Sequence, residues 1–198
     1  MEVIILILLV LLIILYLIFN INKIELKNRD IKSKRIAGEI GENKAALIIA
    51  QMIDKNDVLL RNVSVTYEGK ETELDNVIIS KRGLFIIEVK NYNGELEGDE
   101  ESYEWNKYKF TRDDKVYLKT VRNPIKQVKR QIYILGNYLR YYGIDIWING
   151  YVYLLNSNSP VYSDYVLDNI DEMDKVLHKK SERYLNKDTI NKIIELLQ

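Results

Sequence analysis

The sequence predicts an α/β domain with a mixed central sheet flanked by helices, preceded by one N-terminal transmembrane helix. Three observations carry this prediction. An uncharged run, "VIILILLVLLIILYLIF", occupies residues 3–19. Three strand-like runs, "VLLRNVSV" (58–65), "TELDNVIIS" (72–80) and "GLFIIEVKN" (83–91), follow one another across short turns. An amphipathic segment beginning at Asn123-Pro124 then leads into another apolar strand, "GYVYLLN" (150–156). Helix, strands, helix and strand in that order place helices against a central sheet.

The N-terminal run contains no charge, Gly or Pro. At a rise of about 1.5 Å per residue it just spans a hydrocarbon core of about 30 Å. Only Glu2 precedes it, and bulky Tyr16, Phe19 and Asn20 stand where a signal peptidase would need small residues, so an uncleaved anchor is expected. Its flank carries Lys23, Lys27, Arg29, Lys32, Lys34 and Arg35 against Glu25 and Asp30. Positive residues stay on the cytoplasmic side, so the expectation is a single-pass cell-membrane protein with its C-terminal domain in the cytoplasm. The expected organisation is an anchor (1–20), a charged juxtamembrane stalk (21–35), one domain (36–156) and a C-terminal helical extension packed on it (157–198).

Within the domain, residues 37–53 predict a helix with Ile40, Ala45, Leu47, Ile48 and Met52 as its apolar positions. Glu68-Gly69 and Lys81-Arg82-Gly83 mark the turns between the three strands. The polar stretch 93–122 holds short strands around 95–97 and 103–110. Asn123 caps the next helix, Pro124 fills its first turn, and Ile125, Val128, Ile132, Leu135 and Leu139 form its stripe. Two further helical segments follow Asp168. Net charge is zero, so nothing draws the whole molecule toward a polyanion. The absence of Cys excludes disulfides and thiolate chemistry, and a single histidine, His178, excludes a His-cluster metal site.

The informative charges interrupt the apolar strands. Glu88 and Lys90 share a strand face, with Val89 pointing the other way. Asp75 and Glu88 lie equally far from a centre near 81–82, which is how an antiparallel hairpin sets residues opposite each other. Two facing carboxylates repel. Either the strand emerges into water there, or a cation sits between the acids with Lys90 beside it. Mg²⁺ held by one or two carboxylates is the usual arrangement for phosphoryl chemistry.

"GEIGE" opening a helix, "ELDNVIIS", "GLFIIEVKNYNG", Trp105 and "NPIKQ" opening a second helix together resemble the NERD, or nuclease-related, domain from about Ile36 to about Tyr142. The resemblance implies a restriction-endonuclease-like PD-(D/E)xK fold and Mg²⁺- or Mn²⁺-dependent phosphodiester hydrolysis. By position it implies Asp75, Glu88, Lys90, Glu42 and Gln127 as catalytic residues, with Asp75, Glu88 and Val89, through its carbonyl, on the metal. Asn76 stands where family members often carry His. The implied partner is nucleic acid, DNA ahead of RNA. The membrane is the other partner, through residues 3–19.

Between 107 and 130, nine Lys and Arg residues face only Asp113 and Asp114. Lys119, Arg122, Lys126 and Arg130 are the expected nucleic-acid contacts, since phosphate neutralisation dominates such binding. The acidic stretch Glu95 to Glu104 must lie elsewhere or balance this charge internally. Two alternatives stay open: a catalytically silent module that binds nucleic acid or a protein at the membrane, and a structural membrane protein whose charges stabilise the sheet.

Overall fold

The computed structural model describes the backbone of residues 2–198 except Arg112 and Asp114, and their side chains except those of residues 2–14 and Asp30. The chain divides into two units, Met1–Ile40 and Gly41–Gln198. The first unit consists of helix α1 (Glu2–Met52), whose final turns belong to the second. Exposed i,i+4 pairs, Arg29–Glu25 and Arg35–Glu39, decorate it. Among the described residues no helix is long and apolar enough to cross a membrane. Most of the apolar run 3–19 lies outside the described side chains.

The second unit is a mixed α/β fold. Its main sheet has the order β1-β2-β3-β7-β8, with β1 (Val58–Tyr67), β2 (Lys70–Ser80) and β3 (Gly83–Lys90) successively antiparallel. Strands β7 (Ile148–Leu154) and β8 (Val166–Leu167) continue it in parallel. A second sheet joins β4 (Glu95–Glu97), β5 (Glu104–Phe110) and β6 (Val116–Arg122). Helices α2 (Pro124–Tyr141) and α4 (Lys187–Leu197) cover one face of the main sheet, where Ile134, Leu135, Leu139 and Ile193 meet Val77, Ile79, Leu84 and Ile86. The end of α1 and α3 (Ile170–His178) cover the other, where Ala45, Ile49, Met173 and Leu177 meet Ile78, Phe85 and Ile87. Burying a full Leu or Ile contributes about 1.5–3 kcal/mol, so these two layers dominate stability.

One expected helix face is corrected. Ile40 and Leu47 are exposed, and the buried stripe runs through Gly41, Ala45, Ala46 and Ile49. Small residues win because α1 lies close to the sheet: a Cβ on Gly41 would stand 2.9 Å from Leu155 and 3.1 Å from Asn91. The helix predicted for 37–53 is also no separate element but the end of α1.

Local chemistry sets two further features. Asn123 is buried; its Oδ1 accepts from Ile125 N–H, and its Nδ2 donates to the carbonyls of Asp99, Glu100 and Ser102. The cap therefore also binds the 99–102 loop to the start of α2. Gly150 lets α2 approach β7, since a Cβ there would lie 2.6 Å from Ile132 and 2.7 Å from Val128. Gly150→Ala is expected to lower stability by about 1–3 kcal/mol through overpacking, read as a lower urea midpoint.

The β1–β2 ladder has a break that sequence periodicity does not predict. Arg61 pairs with Asn76 and Val63 with Leu74, but the Asn62–Asp75 step between them is skipped. Asn62 is in the left-handed region, with φ 52°. Before the break Val58 and Leu60 face the α2 side; after it Val63 and Val65 do. Leu74 and Val77 on β2 show the same exchange of faces. Asp75 sits where the strand turns over.

Candidate active site

The site is built from the middle of β2, the end of β3 and one face of α2. The β2–β3 register, Asn76 opposite Ile87, is the one predicted from the turn, and its paired rungs stop one step before Asp75 and Glu88. Asp75 does not merely oppose Glu88 across the ladder. Its Oδ2 accepts the Val89 N–H at 2.8 Å, so the carboxylate stands in for a ladder carbonyl where the strand has flipped.

Glu88 is the centre. It is 1% exposed, and three side chains satisfy it. Lys90 Nζ donates to Oε1 at 2.5 Å, Gln127 Nε2 to the same oxygen at 2.6 Å, and Gln131 Nε2 to Oε2 at 2.6 Å. Gln131 also donates to the Glu73 carbonyl at 2.9 Å. A buried carboxylate survives only with such partners. Gln127 and Gln131 are one helical turn apart, so one face of α2 supplies both donors.

Burial and the Glu88 charge push the Asp75 carboxyl up to about 7, against the Val89 N–H and Lys90, which lower it; Glu42 raises it further. Burial pulls Lys90 down, yet Glu88, Tyr92 and Asp75 hold it above the usual lysine range. Lys90 is thus an ammonium clamped to a carboxylate. Half-buried Glu42, on α1, contributes field at Asp75. Tyr92 is raised by burial, with Lys90 opposing and Glu88 adding, which puts its hydroxyl in the same electrostatic neighbourhood.

Among the described residues no group of three or more Asp, Glu, His or Cys side chains could hold a metal ion. The acids at the centre number two. Their hard oxygens suit Mg²⁺; burial is the larger cause of the raised Asp75 carboxyl, and the Glu88 charge beside it is the part a cation would relieve. Gln131 Oε1, buried beside Glu88, has no hydrogen-bond partner and is a further oxygen donor. The site thus offers two carboxylates and one unpartnered amide oxygen, donors of the kind a hard divalent cation takes.

The structure thus gathers Asp75, Glu88, Val89, Lys90 and Gln127 directly, and Glu42 through its field. Gln131 and Tyr92 were missed; the i,i+4 spacing from Gln127 could have found the first. Asn76 faces the opposite layer and donates to the Ile87 carbonyl. Trp105 is fully buried, its indole N–H donating to the Asp99 carbonyl, so it is core. The expected nucleic-acid contacts do not form one strip. Lys126 pairs with Glu101 at 2.5 Å, and Arg130 donates to the Glu71 carbonyl. Lys119 and Arg122 point from opposite faces of β6. The acidic stretch is balanced internally, through Lys126–Glu101 and Lys129–Glu100.

The nuclease-related domain, NERD, matches residues 37–155. The chain belongs to the NERD family. An uncharacterized protein of Bacillus anthracis is 29% identical over 96 residues, covering 48% of this chain and 43% of its own length. The chain therefore spans less than half of that curated relative. No solved structure matches. The NERD segment contains Glu42, Asp75, Glu88, Lys90, Gln127 and Gln131, and ends just after β7.

Proposed function

We propose that this NERD domain hydrolyses phosphodiesters of nucleic acid with Mg²⁺ or Mn²⁺, as a PD-(D/E)xK-type nuclease, DNA ahead of RNA, and that residues 3–19 anchor it at the cytoplasmic face of the cell membrane. The observation that carries the reading is a buried Glu88–Lys90 pair beside an Asp75 pushed up to about 7. Asp75 and Glu88 would hold the ion, with the Val89 carbonyl and Gln131 Oε1 as further oxygen donors. The ion, when bound, supplies Lewis-acid stabilisation of the phosphoryl oxygens and lowers the pKa of water. Lys90, released from part of its contact with Glu88, orients the attacking water and meets negative charge developing on the phosphate. Gln127 and Gln131 fix the Glu88 carboxylate, so its rotamer is set before substrate arrives. Glu42 strengthens the negative potential at Asp75.

The test is incubation of the full chain with labelled single- and double-stranded DNA and RNA in Mg²⁺, Mn²⁺ or EDTA. Cleavage that needs the divalent ion and disappears in Asp75→Ala supports the reading. Absence of cleavage on every substrate overturns it.

A second reading, a silent nucleic-acid- or protein-binding module, is favoured by one observation. Both Glu88 oxygens are already satisfied by Lys90, Gln127 and Gln131 without any ion. A Mg²⁺ titration with no heat beyond that of surface carboxylates selects this reading.

For the anchor, a reporter fused after Gln198 is expected to behave as cytoplasmic. Its digestion by protease added outside intact cells would reverse the topology.

A further inference from the structure

We propose that one face of the β5–β6 hairpin is a track for single-stranded nucleic acid leading to the Lys90 site. The inference rests on the nucleic-acid reading above and deepens it by naming the surface and the strand form.

The cross-strand register sorts the charges of the small sheet. Lys107 stands opposite Lys119 and Lys109 opposite Tyr117, on the face that also carries Trp105 and Val121. The other face carries Glu104 opposite Arg122, with Glu95 and Glu97 brought beside it by β4. All three lysines of the sheet thus lie on one face and all three glutamates on the other. An elongated polyanion along that face would meet the exposed Lys109 and Lys119 ammonium groups. Tyr117 is 58% exposed, with Lys109 across from it and Lys119 two residues along. An exposed ring between two ammonium groups can stack a base while its neighbours take phosphates, which is the chemistry of single-strand binding.

The face also leads to the right place. Trp105 roots it in the body of the domain against Ile125, Val128, Val152 and Leu154. The Lys107 ammonium lies 5.6 Å from the centroid of the Tyr92 ring, and Tyr92 feels both Lys90 and Glu88. An anionic bilayer fits less well, because the exposed apolar Phe110, Val116 and Leu118 project from the opposite face to the lysines.

The experiment is fluorescence anisotropy of the full chain in mild detergent and EDTA, with oligothymidylate, a duplex of equal length, and phosphatidylserine–detergent mixed micelles as probes. The double variant Lys109→Glu/Lys119→Glu is expected to weaken oligothymidylate binding at least about tenfold. It should also flatten the log K against log salt slope by about 1.4, at about 0.7 per lost phosphate contact. Tyr117→Ala is expected to weaken binding roughly five- to a hundredfold. Thr120→Glu, exposed on the other face opposite Asn106, is expected to stay within about threefold of wild type. Circular dichroism confirms that each variant is folded. Equal losses on both faces, no loss in the double variant, tighter binding to the duplex, or binding to the phosphatidylserine micelles alone would each overturn the track. Cleavage is scored separately in Mg²⁺. A chain that binds through this face but never cleaves refutes hydrolysis and keeps the track. A chain that cleaves with binding untouched by the lysine and tyrosine variants refutes the track and keeps hydrolysis.

Discussion

Lys90→Ala is expected to reduce divalent-dependent cleavage at least about 100-fold, the scale set by removing a preorganised group that meets transition-state charge. It is also expected to cost the metal-free fold about 3 kcal/mol. The structure makes Lys90 the only cation touching a carboxylate that is 1% exposed, among the described residues. Removing one partner of a buried pair costs about 3–5 kcal/mol. The lower end applies because Gln127 and Gln131 still donate to Glu88. The variant therefore has a signature separate from activity: Mg²⁺ raises its urea midpoint more than that of wild type, because the ion replaces the missing ammonium. Wild-type turnover in Lys90→Ala would remove the catalytic role. An unchanged midpoint with an unchanged Mg²⁺ response would remove the counter-ion role.

Asp75 is expected to make the metal-free protein less stable as pH rises. Its folded pKa, about 7, lies above its ordinary value of 3.8. Between about pH 4 and pH 7 the folded state keeps a proton that the unfolded state has released. Stability therefore falls with rising pH across that window, and the full penalty stands above pH 7. At about 1.4 kcal/mol per pH unit the loss amounts to a few kcal/mol. Asp75→Asn keeps an oxygen for the Val89 N–H and removes the titration, so its urea midpoint, measured in EDTA from pH 4 to 8, should not show this fall. A variant whose pH profile parallels that of wild type would rule out Asp75 as the source.

The parts of the fold legible in the sequence were those where burial imposes a period. Strands β1, β2, β3 and β7 and helix α2 each carry a regular apolar pattern, and the short Lys81-Arg82 turn made the β2–β3 register countable. Strand β6 was missed because almost nothing on it is buried: Val116, Tyr117 and Leu118 are all exposed, so no alternation is written there. The α1 stripe was misplaced because its buried positions are Gly and Ala, which hydrophobicity undervalues when close approach is what matters. At the site, the spacing of Asp75, Glu88 and Lys90 was readable. The ladder break was not, because a left-handed Asn62 leaves no periodic trace. Gln131 escaped because a polar residue within a helix reads as solvent-facing until the opposite strand is seen to offer it a carboxylate.

The contact between Asp75 and the Val89 N–H turns one peptide group into an indicator. That amide depends on a side chain whose protonation and ligation can change. If Asp75 gave its Oδ2 to a cation, the Val89 N–H would lose its acceptor while its neighbours in β3 kept theirs. Its hydrogen–deuterium exchange should therefore accelerate on Mg²⁺ addition while Ile86 and Ile87 slow or hold. A single backbone resonance in the middle of the chain would then report occupancy of the site in real time, without a substrate.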